Sequence, residues 1–314
     1  MGTFRRLLLG TIIGCIAPAL AATAPPARAE PRVAIFASSN SPPYQEMVRG
    51  FRQAVQRAMP NAVFEEHWLQ GDAVQAEAAA RQLGVSRPTL LFTVGSLATQ
   101  SAARAVPGVP IVAGMILNAA ELKNVPNATG VVLELPFETE LRWMQRLLPD
   151  QKRIGVLYSP SQNQARVIEA AQLAKTLGLE VHAQKVTAPR DLPDAMETLA
   201  NHASVLWGLA DTVVLNQQTA QSLLLFSYRN RIPFVGLSRT WVKAGALYAL
   251  ERDYSDIGRQ CGELGLKVLR GATAASLPPE APYKIGYTLN LKTAQHMKIE
   301  FPAALVKGAQ EVIE

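Results

Sequence analysis

The sequence predicts an α/β protein of two doubly wound, Rossmann-like lobes joined by a three-crossing hinge. The first observation behind this is an internal duplication. The passage "RVAIFASSNSPPYQEMVRGFRQAVQRAMP" at 32–60 returns as "RIGVLYSPSQNQARVIEAAQLAKTLGLE" at 153–180. Each copy has an Arg, a short apolar run, a loop of Ser, Asn and Pro, and then a helical period. Apolar runs recur in step from Val33 and Ile154, Ala62 and Glu180, Leu90 and Val205, and Val109 and Ile232, at offsets of 121, 118, 115 and 123 residues. The second observation is alternation: short apolar strands separated by amphipathic helices need crossover connections, and so give parallel sheets covered on both faces. The third is a set of three passages that carry the chain between the two copies.

In chain order, residues 1–29 come first. "MGTFRRLLLGTIIGCIAPALAATAPPARA" sets Arg5 and Arg6 before an apolar run from Leu7 to Leu20 and ends on Ala27-Arg28-Ala29, the pattern of a cleaved secretory signal. The run is shorter than the roughly 20 apolar residues of a membrane span. Ile12-Ile13-Gly14-Cys15 offers the alternative of a lipoprotein lipidated at Cys15, although the chain stays apolar beyond it. In the first lobe, Val48, Phe51, Val55 and Met59 mark a helix; in the second, Val167, Ala170, Ala171, Ala174 and Leu177 do the same, with Gly178 where a helix C-cap is wanted.

The first connecting passage is "NATGVVLELPFETELRWMQRLLPD". The second, "GALYALERDYSDIGRQCGELGLKVLRG", starts extended and continues as a helix with the apolar face Ile257, Cys261, Leu264 and Val268, ended by Gly271. The third, "YKIGYTLNLKTAQHMKI", follows the Pro-containing loop "ASLPPEAPY". The lobes are then 30–131 plus 252–281 and 132–251 plus 282–314. Several strands in the hinge permit closure and limit twisting.

The chain has 31 Lys and Arg against 25 Asp and Glu, and cleavage would remove Arg5, Arg6 and Arg28 and no acid, leaving 28 against 25. Nothing in that balance asks for nucleic acid. Of two Cys only Cys261 remains after the signal, so no internal disulfide is available. His67, His182, His202 and His296 have no metal-ligand spacing, so no metal is expected. Gly236-Leu237-Ser238-Arg239-Thr240 misses the second Gly of a nucleophile elbow, and neither a phosphate loop nor a dinucleotide fingerprint is present. No catalytic residue and no cofactor are therefore assigned. A transcription regulator would carry a helix-turn-helix where the export signal stands.

In open parallel sheets, ligands sit beyond the carboxyl ends of the strands, where loops and helix N-termini expose backbone amides. The candidate contacts are thus Ser38, Ser39, Asn40, Gly95, Ser96, Asn118, Ser159, Asn163, Asp211, Thr212 and Arg239. Each Ser or Asn has the alternative role of a helix N-cap. Gly95-Ser96, opening "LATQSAARA", combines close backbone approach with a hydroxyl at a helix start. Tyr44, Tyr158 and Trp241 are candidates for a stacking surface.

"RIGVLYSPSQNQ", "IPFVGLSRTWVKAGALYALERDYSDIGRQCGELGLKVLRG" and "YTLNLKTAQHMKI" resemble the ABC-transporter substrate-binding family that includes tryptophan and tyrosine uptake proteins. The resemblance runs in order through residues 31–300. It implies a type I periplasmic binding-protein fold: a periplasmic monomer that closes on one small-molecule ligand and delivers it to an ABC permease at the inner membrane. A sensor that presents its bound form to a membrane receptor or kinase is the alternative. Three places depart from the family pattern. An acidic residue usually follows the fourth strand, where this chain has Asn118. A Thr-Asp-Asn segment is replaced by Leu209-Ala210-Asp211, and a Glu-rich turn by Ser238-Arg239-Thr240. With acids lost and a cation gained, an organic acid or another polar or aromatic molecule stands beside an amino acid as ligand. Arg239 either meets that ligand or pairs with Asp211.

Overall fold

In the computed structural model, residues 1–2 and 30–314 are described, so the expected signal at 1–29, with Cys15, lies outside the described residues. From Arg32 onward strands and helices alternate. The first half contains β1 (Arg32–Ala37), α1 (Pro42–Ala58), β2 (Val63–Trp68), α2 (Ala73–Ser86), β3 (Leu90–Val94), α3 (Ser96–Ala105), β4 (Ile111–Ile116) and β5 (Ala128–Val132). The second continues with α4 (Phe137–Leu147), β6 (Arg153–Tyr158), α5 (Pro160–Thr176), β7 (Glu180–Lys185), α6 (Leu192–Ala200), β8 (Val205–Trp207), α7 (Ala220–Asn230), β9 (Phe234–Gly236), α8 (Arg239–Lys243) and β10 (Tyr248–Arg252). The chain ends in α9 (Tyr254–Leu269), β11 (Ile285–Asn290), α10 (Leu291–Met297), α11 (Ala303–Gly308) and β12 (Glu311–Ile313).

The strands form two sheets, β2-β1-β3-β4-β5 and β7-β6-β8-β9-β10-β11-β12. The four repeated runs occupy the same four sheet positions in each, so the duplication in sequence is a duplication of topology. β5 and β10 add a fifth matching pair. Pairing is parallel throughout except where β11 runs antiparallel to β10, because the chain returns there from the other lobe rather than through a crossover helix. Each half folds for the expected reason: β1, β3 and β6 are buried almost end to end, while β2 and β7 lie at sheet edges and keep Glu and His exposed in part.

The connections exchange helices. α4 leaves the first sheet and buries Phe137, Leu141, Met144 and Leu147 in the second lobe's core. α9 leaves β10 and buries Ile257, Cys261 and Leu264 in the first lobe's core, as the apolar face anticipated. It lies against α1 at backbone contact: a Cβ on Gly258 would stand 2.0 Å from the Met47 carbonyl oxygen, and one on Gly50 equally close to the Ser255 carbonyl oxygen. Gly178 and Gly271 end α5 and α9 with positive φ, as a helix stop requires. The chain passes between lobes after β5, after β10 and before β11, and Arg252 at the second passage donates from Nε to the Leu133 carbonyl at the first (2.7 Å).

Candidate functional site

The carboxyl ends of the parallel strands in both lobes carry the candidate loops. In the first lobe the β1–α1 and β3–α3 turns are tied together. Ser38 N–H donates to the Val94 carbonyl (2.8 Å), and Ser38 Oγ accepts from Ala98 N–H at the start of α3 (3.0 Å). Gly95 precedes α3 with φ +98°, where a Cβ would stand 2.5 Å from Ser38 Oγ and 3.2 Å from the Tyr44 ring. Only glycine allows the loops to close this tightly. Ser39 Oγ accepts from Ser41 N–H, and Asn40 Oδ1 accepts from Gln45 Nε2 (2.8 Å). Tyr44 is half-buried, and burial, aided by the neighbouring Tyr254, raises its pKa.

Ser96 has a partner that the sequence reading missed. Its hydroxyl donates to Glu121, whose other carboxylate oxygen accepts from Leu117 N–H (2.6 Å). Asn118 explains this geometry. Its side chain accepts from Ala120 N–H (3.0 Å) and caps a single 3-10 turn, Ala119–Leu122, that swings Glu121 back toward α3. A carboxylate therefore does stand after the fourth strand, three residues beyond Asn118. Two further features mark the spot: Met115 has φ +54° at an irregularity in the β4–β5 pairing, and Leu117 leaves half its surface exposed. Strained backbone of this kind persists where surrounding structure holds it.

In the second lobe Ser159, Asn163, Asp211 and Thr212 are brought together as an internal lock. Asp211 is buried and accepts four hydrogen bonds: from Ser159 N–H (2.7 Å), Asn163 Nδ2 (2.9 Å), Val213 N–H (3.0 Å) and Val214 N–H (3.1 Å). Thr212 bonds Gln162 through both its hydroxyl and its backbone N–H. The Asp211 carboxylate is committed to the loops themselves. Arg239 does not pair with it; Arg239 Nε lies 3.1 Å from Glu311 Oε2 of β12, and Lys243 shares that acid. The stacking trio is not assembled either. Tyr158 is buried in the core under α4 and α5, and Trp241 packs edge-on to Phe234 (5.5 Å, 71°) in the core under α6 and α7. Tyr44, half-buried, packs against the first lobe's core, away from both.

One cavity of the second lobe, about 40 Å³, lies at the carboxyl ends of β8 and β9, beside the hinge residue Arg252. Glu140, Trp207, Leu237 and Tyr248 are among its walls, and none of these was a candidate from sequence, Leu237 standing just before the Ser238-Arg239-Thr240 turn. Trp207 Nε1 donates to Glu140 Oε2 (2.7 Å), and Phe137 meets the indole edge-on (5.6 Å, 86°). Burial lifts the Glu140 pKa to about 7, against the Trp207 hydrogen bond and the nearby Arg252 and Arg166, which favour the carboxylate; Glu134 adds a smaller push upward. Tyr248 is fully buried, its hydroxyl has no hydrogen-bond partner among the described residues, and its pKa is raised by burial and by the Glu140 charge. The missed signal was modest: an acid one turn into α4, whose amphipathic pattern would otherwise turn it to solvent.

Two duplicated α/β lobes joined by three crossings, with polar groups gathered at the carboxyl ends of their strands, define a type I periplasmic binding-protein fold. The chain belongs to the ABC transporter substrate binding protein family, which matches residues 32–313. It is 23% identical to a tyrosine-binding protein of Clostridioides difficile over 67% of this chain and 63% of that one. An uncharacterized protein of Rickettsia prowazekii is 24% identical over 65% of each. The matches thus span just under two thirds of these relatives' length. Among solved structures, the ligand-free, open form of a substrate-binding protein with adhesive properties from Clostridium difficile aligns with a TM-score of 0.74 at 19% identity, covering 90% of this chain and 99% of that one. A domain from Streptococcus pneumoniae in complex with L-Trp aligns at 0.58 and 21%, covering 90% and 100%.

Proposed function

We propose that this protein is the periplasmic solute-capturing component of an ABC uptake system, and that its lobes, 30–131 with 252–281 and 132–251 with 282–314, close on an aromatic amino acid. Capture requires a ligand that touches both lobes, because only a ligand with better contacts in the closed state shifts the population toward it. The observation that carries the reading is that the strand ends of both lobes hold a carboxylate beside hydrogen-bonding groups: Glu121 with Ser96 in one, Glu140 with Trp207 in the other. Glu121 supplies the acid that an ammonium group needs and that Asn118 alone would lack, so an amino acid regains preference over an organic acid. The relative that binds tyrosine and the structure that holds L-Trp support the same class. The loaded protein would dock on a membrane permease as a monomer.

The test is a panel of aromatic and aliphatic amino acids, aromatic acids and small organic acids, read by melting temperature and by solution scattering. An aromatic amino acid is expected to raise the melting temperature and compact the protein, and Glu121→Gln to weaken it about tenfold or more, the cost of removing the charged partner of an ammonium. Organic acids binding better than amino acids, or no response to any compound, would sink the reading.

A further inference from the structure

Glu134 is the one charged residue in "TGVVLELPF", the run that ends β5 and leads into α4. Its carboxylate pairs with the guanidinium of Arg166, and the two partners are anchored to different lobes. Leu133 and Glu134 donate their backbone N–H groups to the Ile116 and Leu117 carbonyls (2.8 and 2.9 Å), so the chain there still follows the first sheet. Arg166 belongs to α5, whose Val167, Ala170 and Ala174 are buried in the second lobe's core. Its guanidinium is held on three sides: by Glu134, by Asn163 Oδ1, which accepts from Nη1 (3.0 Å), and by the Phe137 ring, whose centroid is 5.0 Å away. A planar fork pinned in this way gives up less entropy per bond than a freely rotating surface partner.

Each partner continues into one of the candidate loops. Leu117, which accepts from Glu134, donates its own N–H to Glu121, and Glu121 holds Ser96. On the other side, Asn163 accepts from Arg166 at one end of its amide and at the other donates to Asp211 Oδ2 (2.9 Å) and the Ala210 carbonyl (3.0 Å). Asp211 in turn fixes Ser159, Val213 and Val214. Polar contacts thus run unbroken from Ser96 to Ser159, and they change lobes at the Glu134–Arg166 pair.

We propose that Glu134 and Arg166 are positioning residues that couple the two loops, so that the setting of the Ser96–Glu121 turn is felt at the Asp211 lock and the reverse. Neither has to touch a ligand. A molecule that orders one loop then meets the other already partly ordered, which lowers the entropy lost on bridging both. The use of this coupling rests on the capture reading above. Its existence does not, because the test needs no ligand, and either can fail alone.

Continuity in space becomes coupling only where free energy passes along it, and amide hydrogen exchange followed residue by residue measures that free energy. Glu134→Gln removes the charge on the first-lobe side and leaves the Arg166–Asn163 bond in place. With side chains 30% and 31% exposed, the pair should contribute what partly solvated pairs do. Exchange at Ser159 and Val213 in the second lobe should therefore quicken about twofold to fivefold. Arg166→Gln should quicken the Leu117 amide in the first lobe by a similar factor. Once Arg166→Gln is present, adding Glu134→Gln should change nothing further at Ser159 or Val213, because the step between the lobes is already gone. Effects that stay on the substituted side, additive effects in the double variant, or equal acceleration at Leu264 of α9, a core amide that reads global unfolding, overturn the proposal.

Discussion

Replacing Glu140 by Gln isolates the cost of holding a carboxylate in the second lobe's wall. Its pKa rises from 4.5 to about 7, and at ~1.4 kcal/mol per unit the charged form is disfavoured by about 3 kcal/mol. Above pH 7 the group is ionised in both folded and unfolded chains, and the native state bears the full penalty. Below about pH 4.5 it is neutral in both and the penalty vanishes. Between the two, the folded protein binds a proton that the unfolded chain does not, so stability rises as pH falls through the window. The amide of Glu140→Gln keeps an acceptor for Trp207 Nε1 and never ionises. The variant should therefore exceed wild type by up to about 3 kcal/mol at pH 8, with the gap closing toward pH 5. Urea unfolding of both proteins at several pH values measures it. The comparison cancels every group they share, including Arg252, Arg166, Glu134 and Tyr248 around the carboxyl and the histidines elsewhere. A gap that stays constant from pH 5 to 8, or a variant weaker at pH 8, would refute the reasoning.

Three further substitutions address the scaffold. Asp211→Ala strips the acceptor from four donors, two of them backbone N–H groups of buried residues; it should cost about 3 kcal/mol or more, seen as a lower melting temperature, and an unchanged melting temperature would mean that the lock is idle. Gly258→Ala must push α9 off α1, since its Cβ would lie 2.0 Å from the Met47 carbonyl oxygen, whereas Gly84→Ala in α2 finds its nearest atom at 3.8 Å. The first should lose several kcal/mol (~3 or more) and the second should gain up to about 1 kcal/mol, and urea midpoints in the opposite order would contradict the packing.

Four strand pairs, both glycine helix stops and the apolar face of α9 could be read from residue order, because periodicity and turn chemistry are local and each lobe repeats them. The loops after the repeated strands could be read from the sequence as segments, yet several of their side chains serve other ends. Asp211, Ser159 and Asn163 bond one another. Arg239 answers Glu311, which lies 72 positions further along the sequence. Trp241 and Tyr158 turn into separate cores. Glu121 and Glu140 show the converse. One comes to Ser96 only because Asn118 caps a turn, and the other enters a cavity only because α4 crosses to the opposite lobe.

Alternating apolar runs, their repetition at nearly constant offset, and the three connecting passages were sufficient to specify two parallel sheets and the hinge between them. Hydrophobic burial acts on pattern, and pattern survives in a one-dimensional string. Which polar side chains face a ligand depends on hydrogen-bond partners, buried charge and vacant volume contributed by residues far apart in the chain. Those are properties of the packed molecule, and they place Glu121 beside Ser96 and Glu140 beside Trp207 where no local reading of Asn118 or Trp207 would have put them.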